Sequence, residues 1–409
     1  MDELITPSDW NQENSIIKVI GVGGGGCNAV NYMYKQNIKG CSFVVCNTDA
    51  QALQTSEVPV KIQMGTGGLG AGTDPVAGRN AALESQDEIA RKVLDCGTQM
   101  LFITAGMGGG TGTGASPVIA KMAKERGILT VAVVTIPFKN EGNESQSKAV
   151  DGIHELEKNV DSLLIINNEK LYQFFGDTLI QEAFPKADEV LATAVRGIIE
   201  VISCSGYINV DFQDVCKMMR NSGMALMGSG EGTGPSRLQD AVKGAFESPL
   251  LNDFDLKTAK NVLINITTGN NEHGAKMSDL EKIDEMIAGY TGDANRFKKG
   301  IIWENDPDFG DKIRITAIVT GFVMDLGGLG LNKDLGNLVI IDEDFQWDLS
   351  DHGSEVTIPC ASDTIKIGYN NSDNARRFSF ATDKRPALCV EPGERRSDLE
   401  IVPAIRRAH

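Results

Sequence analysis

Several scarcities narrow what this 409-residue chain can be. Aromatic residues make up only 6% of it and histidine occurs four times, so neither aromatic packing nor an imidazole-rich site is its theme. The eight cysteines, at 27, 41, 46, 96, 204, 216, 360 and 389, include no Cys-x-x-Cys pair and no cysteine–histidine cluster with zinc spacing. They read as scattered small hydrophobes in a reducing compartment. Positive charge is short: 39 Lys and Arg against 56 Asp and Glu leave a net charge of −17. Such a chain repels nucleic-acid phosphates as a whole, so no nucleic-acid partner is expected. No apolar run approaches the roughly 20 residues of a membrane helix. The longest, Ile128–Phe138, reads as a buried strand. The first fifteen residues are polar and acidic, unlike a secretory leader. The expectation is a soluble, cytoplasmic protein without direct membrane insertion. A P-loop is also excluded, because no Gly-Lys-Ser or Gly-Lys-Thr occurs.

Glycine, by contrast, is plentiful at 45 residues. The length calls for more than one domain. Residues 1–15 read as a disordered tail. From Ile16 to Phe184, strand candidates at Ile16–Val22, Ser42–Cys46, Val58–Gln63, Met100–Ala105, Leu129–Ile136 and Ser162–Ile166 alternate with helical stretches. That alternation predicts an α/β fold with a parallel sheet covered on both faces. The region 185–223 is expected to be led by a long helix that begins near Glu182 and runs to Ser203. Its stripe of Val190, Leu191, Ala194, Val195, Ile198, Ile199 and Ile202 is broad enough to be buried between two domains. Residues 224–322 read as a second α/β unit, 323–397 as a flexible linker without sustained period, and 398–409 as a tail that regains apolar residues.

Three glycine-rich loops follow strands. Gly21-Val22-Gly23-Gly24-Gly25-Gly26 satisfies Gly-x-Gly-x-x-Gly, with Asp49 standing 23 residues after Gly26. This resembles a dinucleotide fingerprint, but its physics is general. Glycine lets backbone approach phosphate, and a helix N-terminus offers free N–H groups. The bland alternative is a tight turn. A second loop, Gly106–Gly114, is superfluous for one dinucleotide, and its threonines and N–H groups suit a di- or triphosphate. Gly65–Gly72 is the third.

With these residues the chain resembles the tubulin/FtsZ family. Gly106–Gly114 is similar to that family's signature loop and Gly21–Val30 to its first loop. Asn47–Leu53, Gly70–Gly72, Pro137-Phe138 with Glu141-Gly142, Asn209–Phe212 and Met227–Gly230 match in order, so the resemblance covers about Ile16 to Phe322. It implies a tubulin-like architecture: an N-terminal Rossmann-like GTPase domain, a long central helix, a smaller α/β C-terminal domain, a disordered linker and a tail peptide. It also implies a GTPase that polymerises head to tail into the division ring at mid-cell. Gly23, Gly24 and Asn28 should meet the α- and β-phosphates or the base edge, and Gly25 and Asn47 belong to the same set. Ala71, Gly72, Gly108, Gly109, Gly110, Thr111, Gly112 and Thr113 should surround the β- and γ-phosphates. Glu141 should contact the ribose, and Phe184 should stack on the base. Asn168 and Asp188 should read guanine, whose N1–H and N2–H₂ a carboxylate can accept and adenine cannot offer. Mg²⁺ is expected on the phosphates of GTP or GDP, without a metal site of protein ligands.

Asn209, Asp211 and Asp214 are the implied catalytic half, reaching into the next subunit. On residue type alone, an Asp at a helix start is as readily an N-cap. Leu399, Ile401, Pro403, Ile405 and Arg406 resemble the family's peptide for membrane-tethering division proteins, against the alternative of a sticky tail. One departure stands out: Gly142 leads into Asn143-Glu144-Ser145 where the family carries a basic run ending in arginine. Weaker GTP binding or slower turnover is expected from that gap. The rival readings are a nicotinamide dehydrogenase, for which no histidine lies in a glycine-loop motif, and a non-hydrolysing relative, which would normally lack the acids.

Overall fold

The computed structural model describes residues 15–169, 180–203, 206–208, 211–247, 256, 259–291, 296–304, 306, 309–322 and five short strands between 338 and 380. Six parallel strands open the chain: β1 (Ile17–Val22), β2 (Ser42–Asn47), β3 (Val60–Gln63), β4 (Met100–Gly106), β5 (Leu129–Ile136) and β6 (Ser162–Asn167). Every residue of β1, β2 and β5 is buried. Strands covered on both faces need apolar residues at successive positions, which is why these sequences run unbroken rather than alternating. Between them lie α1 (Gly23–Lys35), α2 (Ala50–Thr55), α3 (Pro75–Glu84), α4 (Gln86–Ile89), which runs into a π-helical turn Ala90–Leu94, α5 (Thr111–Glu125) and α6 (Asn143–Glu157).

The strand order β3-β2-β1-β4-β5-β6 reverses direction at β1. The chain steps outward from β1 to β3, then returns to β4 on the other side. At such a switch point the two outgoing loops diverge and leave a crevice beyond the strand ends. The first and second glycine loops are the two that flank it.

The second half holds α7 (Ile180–Ser203), β7 (Gly206–Ile208), α8 (Phe212–Met219), β8 (Gly223–Gly232), α9 (Arg237–Phe246), β9 (Asn261–Gly269), α10 (Met277–Thr291), β10 (Arg296–Glu304) and β11 (Ile313–Phe322). Rather than a second sheet, these strands extend the first one, in the order β6-β8-β11-β9-β10-β7. The joint is short, Ser162–Leu164 against Gly223–Ala225, whereas β11 pairs with β9 from Ile313 to Thr320. The two units expected at 16–184 and 224–322 thus share one sheet in a single compact unit ending at Phe322.

The central helix α7 covers the joint. Leu191, Ala194, Val195, Ile198 and Ile199 are buried in one cluster with Val30, Val133 and Met227. Burial of a Leu or Ile side chain contributes roughly 1.5–3 kcal/mol. A Cβ on Gly197 would stand 2.9 Å from Thr316 Cγ2 and 3.3 Å from Met227 Sδ, so the helix lies close on β8 and β11. The broad stripe read from sequence is this contact.

Ser15, assigned to the N-terminal tail, belongs to the fold. It is fully buried, its Oγ donates to Gly40 O at 3.1 Å and accepts from the N–H of Ile17. A serine at a strand entry closes such a turn with its own hydroxyl. In the stretch expected as a linker, β12 (Leu338–Asp342) pairs antiparallel with β13 (Phe345–Asp348), and β14 (Glu355–Pro359), β15 (Thr364–Asn370) and β16 (Arg377–Phe380) form a three-stranded sheet. Ile365, Ile367 and Tyr369 alternate in β15, but over too few residues to stand out among the surrounding Asp, Gly and Asn. The segment 398–409 lies outside the described residues.

Candidate functional site

Two helices begin at the switch-point crevice, and both begin bare. α1 starts at Gly23 and α5 at Thr111; neither has a side-chain cap nor an acid in its first turn. Their first N–H groups therefore have no intrahelical or side-chain partner and present positive dipole ends. This is a ready site for phosphate. Nearby α2 and α3 are closed by contrast. Asp49 accepts from the N–H of Gln51 and Ala52, and Asp74 from that of Val76.

The loop glycines divide into two kinds. A Cβ on Gly26 would collide with the Thr104 carbonyl, and one on Gly112 with the Gly106 carbonyl. One on Gly110 would stand 2.8 Å from Asp74 N and 2.9 Å from Ala71 Cβ, and one on Gly23 (φ +73°) 2.9 Å from Gly112 N. These glycines let backbone pack on backbone. Gly24, Gly70, Gly72 and Gly109 face open space, the kind of edge a ligand can approach. Gly25, also expected at the nucleotide, is exposed and lines the cleft.

Hydroxyls and an amide brace the loops. Thr113 Oγ1 accepts from Gly108 N–H at 2.9 Å, and Thr48 and Thr111 hydroxyls share a hydrogen bond at 2.7 Å. Asn47 is buried, its Oδ1 accepting from Asp49 N–H. Thr113 and Asn47 thus shape the loops from behind. Gly70 N–H donates to Thr48 O, and Gly68 O accepts from Ala50 N–H, which tie the third loop to α2.

Beside the glycines lies a cleft of about 290 Å³ whose lining includes Asn28, Glu141, Asn168 and Asp188. Four residues expected at the nucleotide, far apart in sequence, therefore meet at one place. Asn168 Oδ1 is buried without a hydrogen-bond partner among the described residues. An orphaned acceptor in a cleft costs about 1–3 kcal/mol unless a ligand N–H completes it. Burial pushes the Asp188 carboxyl up to about 7. Glu141 Oε1 accepts from Phe138 N–H at 2.8 Å and so closes the turn after β5. Phe184 falls in α7, but its side chain lies outside the described residues. Thr135, Met107 and Leu191 also line the cleft. They were not read as site residues, because a strand residue, a loop methionine and one position of an apolar stripe carry no local signal of a ligand. Among the described residues, no group of three or more His, Cys, Asp or Glu could hold a metal ion, and no helix is long and apolar enough to cross a membrane.

Asp211 and Asp214 stand elsewhere. Asp211 is the N-cap of α8, its Oδ1 accepting from Asp214 N–H at 2.6 Å, and Asp214 Oδ2 pairs with Lys298 Nζ at 3.0 Å. The capping reading of Asp211 is thus correct as far as it goes. Asn209 lies outside the described residues. Helix α8 is fastened to the entry ends of the parallel strands: Asn221 N–H donates to Asp161 Oδ1, Ser222 N–H to Asp161 O, and Arg220 Nη2 to Gly127 O. The glycine loops are at the exit ends. Strands of seven or eight residues separate the two by about 20 Å.

Residues 16–176 match the profile described as Tubulin/FtsZ family, GTPase domain, and residues 223–323 that described as FtsZ family, C-terminal domain. The chain is 49% identical over 399 residues to the cell division protein FtsZ of Azotobacter vinelandii, covering 97% of each chain. It belongs to the FtsZ family. The chain is accordingly a tubulin-like cell-division GTPase that binds guanine nucleotide. The FtsZ of Pseudomonas aeruginosa is 48% identical over 405 residues, again covering 97% of each. A solved structure from M. jannaschii, described as an empty FtsZ dimer, superposes with a TM-score of 0.68 at 36% identity, covering 77% of this chain and 90% of that one.

Proposed function

We propose that this GTPase assembles head to tail, and that each nucleotide is hydrolysed between two subunits. The observation that carries the reading is that the bare helix starts and the acids lie at opposite ends of one sheet, about 20 Å apart by strand length. No single subunit can bring Asp211 and Asp214 to its own glycine loops. A translated second copy can, and a heterologous contact that does not close gives a filament. The dimer described for the M. jannaschii relative is in keeping with this.

In the assembled site Gly24, Gly109, Ala71 and Gly72 line the phosphates, Asn168 and Asp188 accept from guanine N–H groups, Glu141 takes the ribose and Phe184 the base face. The second carboxylate oxygen of Asp211, together with Asp214 and Asn209, orients and polarises the attacking water. Lys298 holds Asp214 in place. Mg²⁺ would be held by the phosphates of the nucleotide, where it would neutralise their charge. The filament forms the division ring at mid-cell, and Leu399, Ile401, Pro403, Ile405 and Arg406 carry it to a membrane-tethering partner.

The test is phosphate release from GTP across protein concentrations, with sedimentation in parallel. Turnover and GTP-dependent pelleting should appear above a shared threshold. Turnover linear in protein with no threshold would sink the shared site. Deleting 398–409 should leave turnover intact and abolish capture by the tether; lost turnover would count against the tail assignment.

A further inference from the structure

The described lining of the nucleotide cleft contains two acids, Glu141 and Asp188, and no Lys or Arg. A triphosphate brings several negative charges. Its recognition at the bare starts of α1 and α5 draws on backbone N–H groups, and these bind well only when held in place beforehand. What holds the third glycine loop in place is therefore a functional question.

One face of α6 supplies an answer. It runs along the second glycine loop: a Cβ on Gly108 would stand 2.9 Å from Ser145 O, and one on Gly152 would strike Thr113 Cγ2. Lys148 lies between those two contacts on the same face, three residues after Ser145 and four before Gly152. Its Nζ donates to Thr73 O at 3.1 Å, across 75 residues of sequence, and pairs with the Glu144 carboxylate. Thr73 directly follows Gly72 and has φ +64°. That conformation is strained for a β-branched residue and persists only where its surroundings enforce it. The next residue, Asp74, caps α3 and lies against Gly110. The Lys148 bond thus falls on the strained turn that joins the open edge of the third loop to the second.

We propose that Lys148 is a positioning residue for the terminal phosphate: by holding Thr73 it keeps the Ala71–Gly72 edge against Gly110. This rests on the assignment of that edge to the β- and γ-phosphates. Its consequence is specific, because a loop that serves the terminal phosphate matters for the triphosphate and little for GDP.

The experiment compares GDP and a non-hydrolysable GTP analogue, titrated against the full chain below its assembly threshold, for wild type, Lys148→Met and Lys148→Arg, with thermal melts of each. Lys148→Met should weaken the triphosphate about tenfold, the size of one charge-assisted hydrogen bond, and GDP by no more than about twofold. Lys148→Arg, which can reach the same carbonyl, should keep the preference. Equal loss for both nucleotides, or no loss, overturns the proposal. If Lys148→Met melts too low to titrate, Lys148→Gln is judged by the same criterion. Wild type that binds neither nucleotide would instead overturn the nucleotide reading itself.

Discussion

The two ends of the sheet differ in how their helices begin. At the exit ends α1 starts on Gly23 and α5 on Thr111, and neither has a side-chain cap on its first N–H groups. At the entry ends α8 starts on Asp211, which fills its own helix donors. A helix that caps itself is closed to anions, and one that does not is open to them. Under the proposed assignment the bare ends take phosphate, and the capped end, with a carboxylate oxygen to spare, activates water. Asp49 and Asp74 sharpen the contrast, since they close α2 and α3 beside the same crevice. Capping therefore separates open helix starts from closed ones at a single location.

The comparison breaks most sharply at Asp211. Asp211→Asn keeps a good cap and removes the charge, so phosphate release should fall by roughly 10²–10⁴ while the melting temperature barely moves. Asp211→Ala should lose turnover to the same degree and cost about 1 kcal/mol more in stability. Full turnover in Asp211→Asn would reduce Asp211 to a cap. The two kinds of glycine give the next effect. Gly26→Ala drives a methyl into the Thr104 carbonyl and should destabilise by about 3 kcal/mol. Gly24→Ala meets open space and should fold normally yet bind GTP more weakly. Chemical denaturation with a nucleotide titration separates them, and equal destabilisation by both would erase the division.

A pH effect follows from Asp188. Burial raises its carboxyl to about 7, and guanine N–H donors need the ionised form. Binding then releases a proton, so GTP affinity should be flat above pH 7 and fall by up to about tenfold per unit below it. The free fold responds with the opposite sign: the raised carboxyl adds most stability at acid pH and loses it as pH rises through 7. Affinities equal at pH 6 and 8 would remove Asp188 from the guanine edge. The smallest effect is expected from Ser145→Arg, which should tighten GTP by up to about tenfold; an unchanged affinity would mean that the arginine gap has no consequence here.

Much of the phosphate end was legible in the chain because it is local. Strand, glycine loop and helix follow one another within 19 residues at Ile17–Lys35 and within 26 at Met100–Glu125. The stripe from Leu191 to Ile199 announced the central helix for the same reason, since periodicity belongs to a single element. The family resemblance then supplied roles for Glu141, Asn168 and Asp188 that residue type alone could not.

Other features depend on contacts between distant residues, and only the tertiary structure decided them. Gly26 is a packing glycine because Thr104 passes beside it, and Gly24 is open because nothing does. Thr113 turns inward to hold Gly108, although its sequence suits a phosphate contact equally well. The two expected domains share one sheet because Ser162–Leu164 finds Gly223–Ala225, a pairing some sixty residues apart. Asp188 carries a raised carboxyl because the fold buries it. The sequence by itself determined the parallel sheet, the glycine loops and the acids. The tertiary structure decided which glycines are free and that the acids face away from them, because burial and position along a sheet are set by neighbours that sequence order does not name.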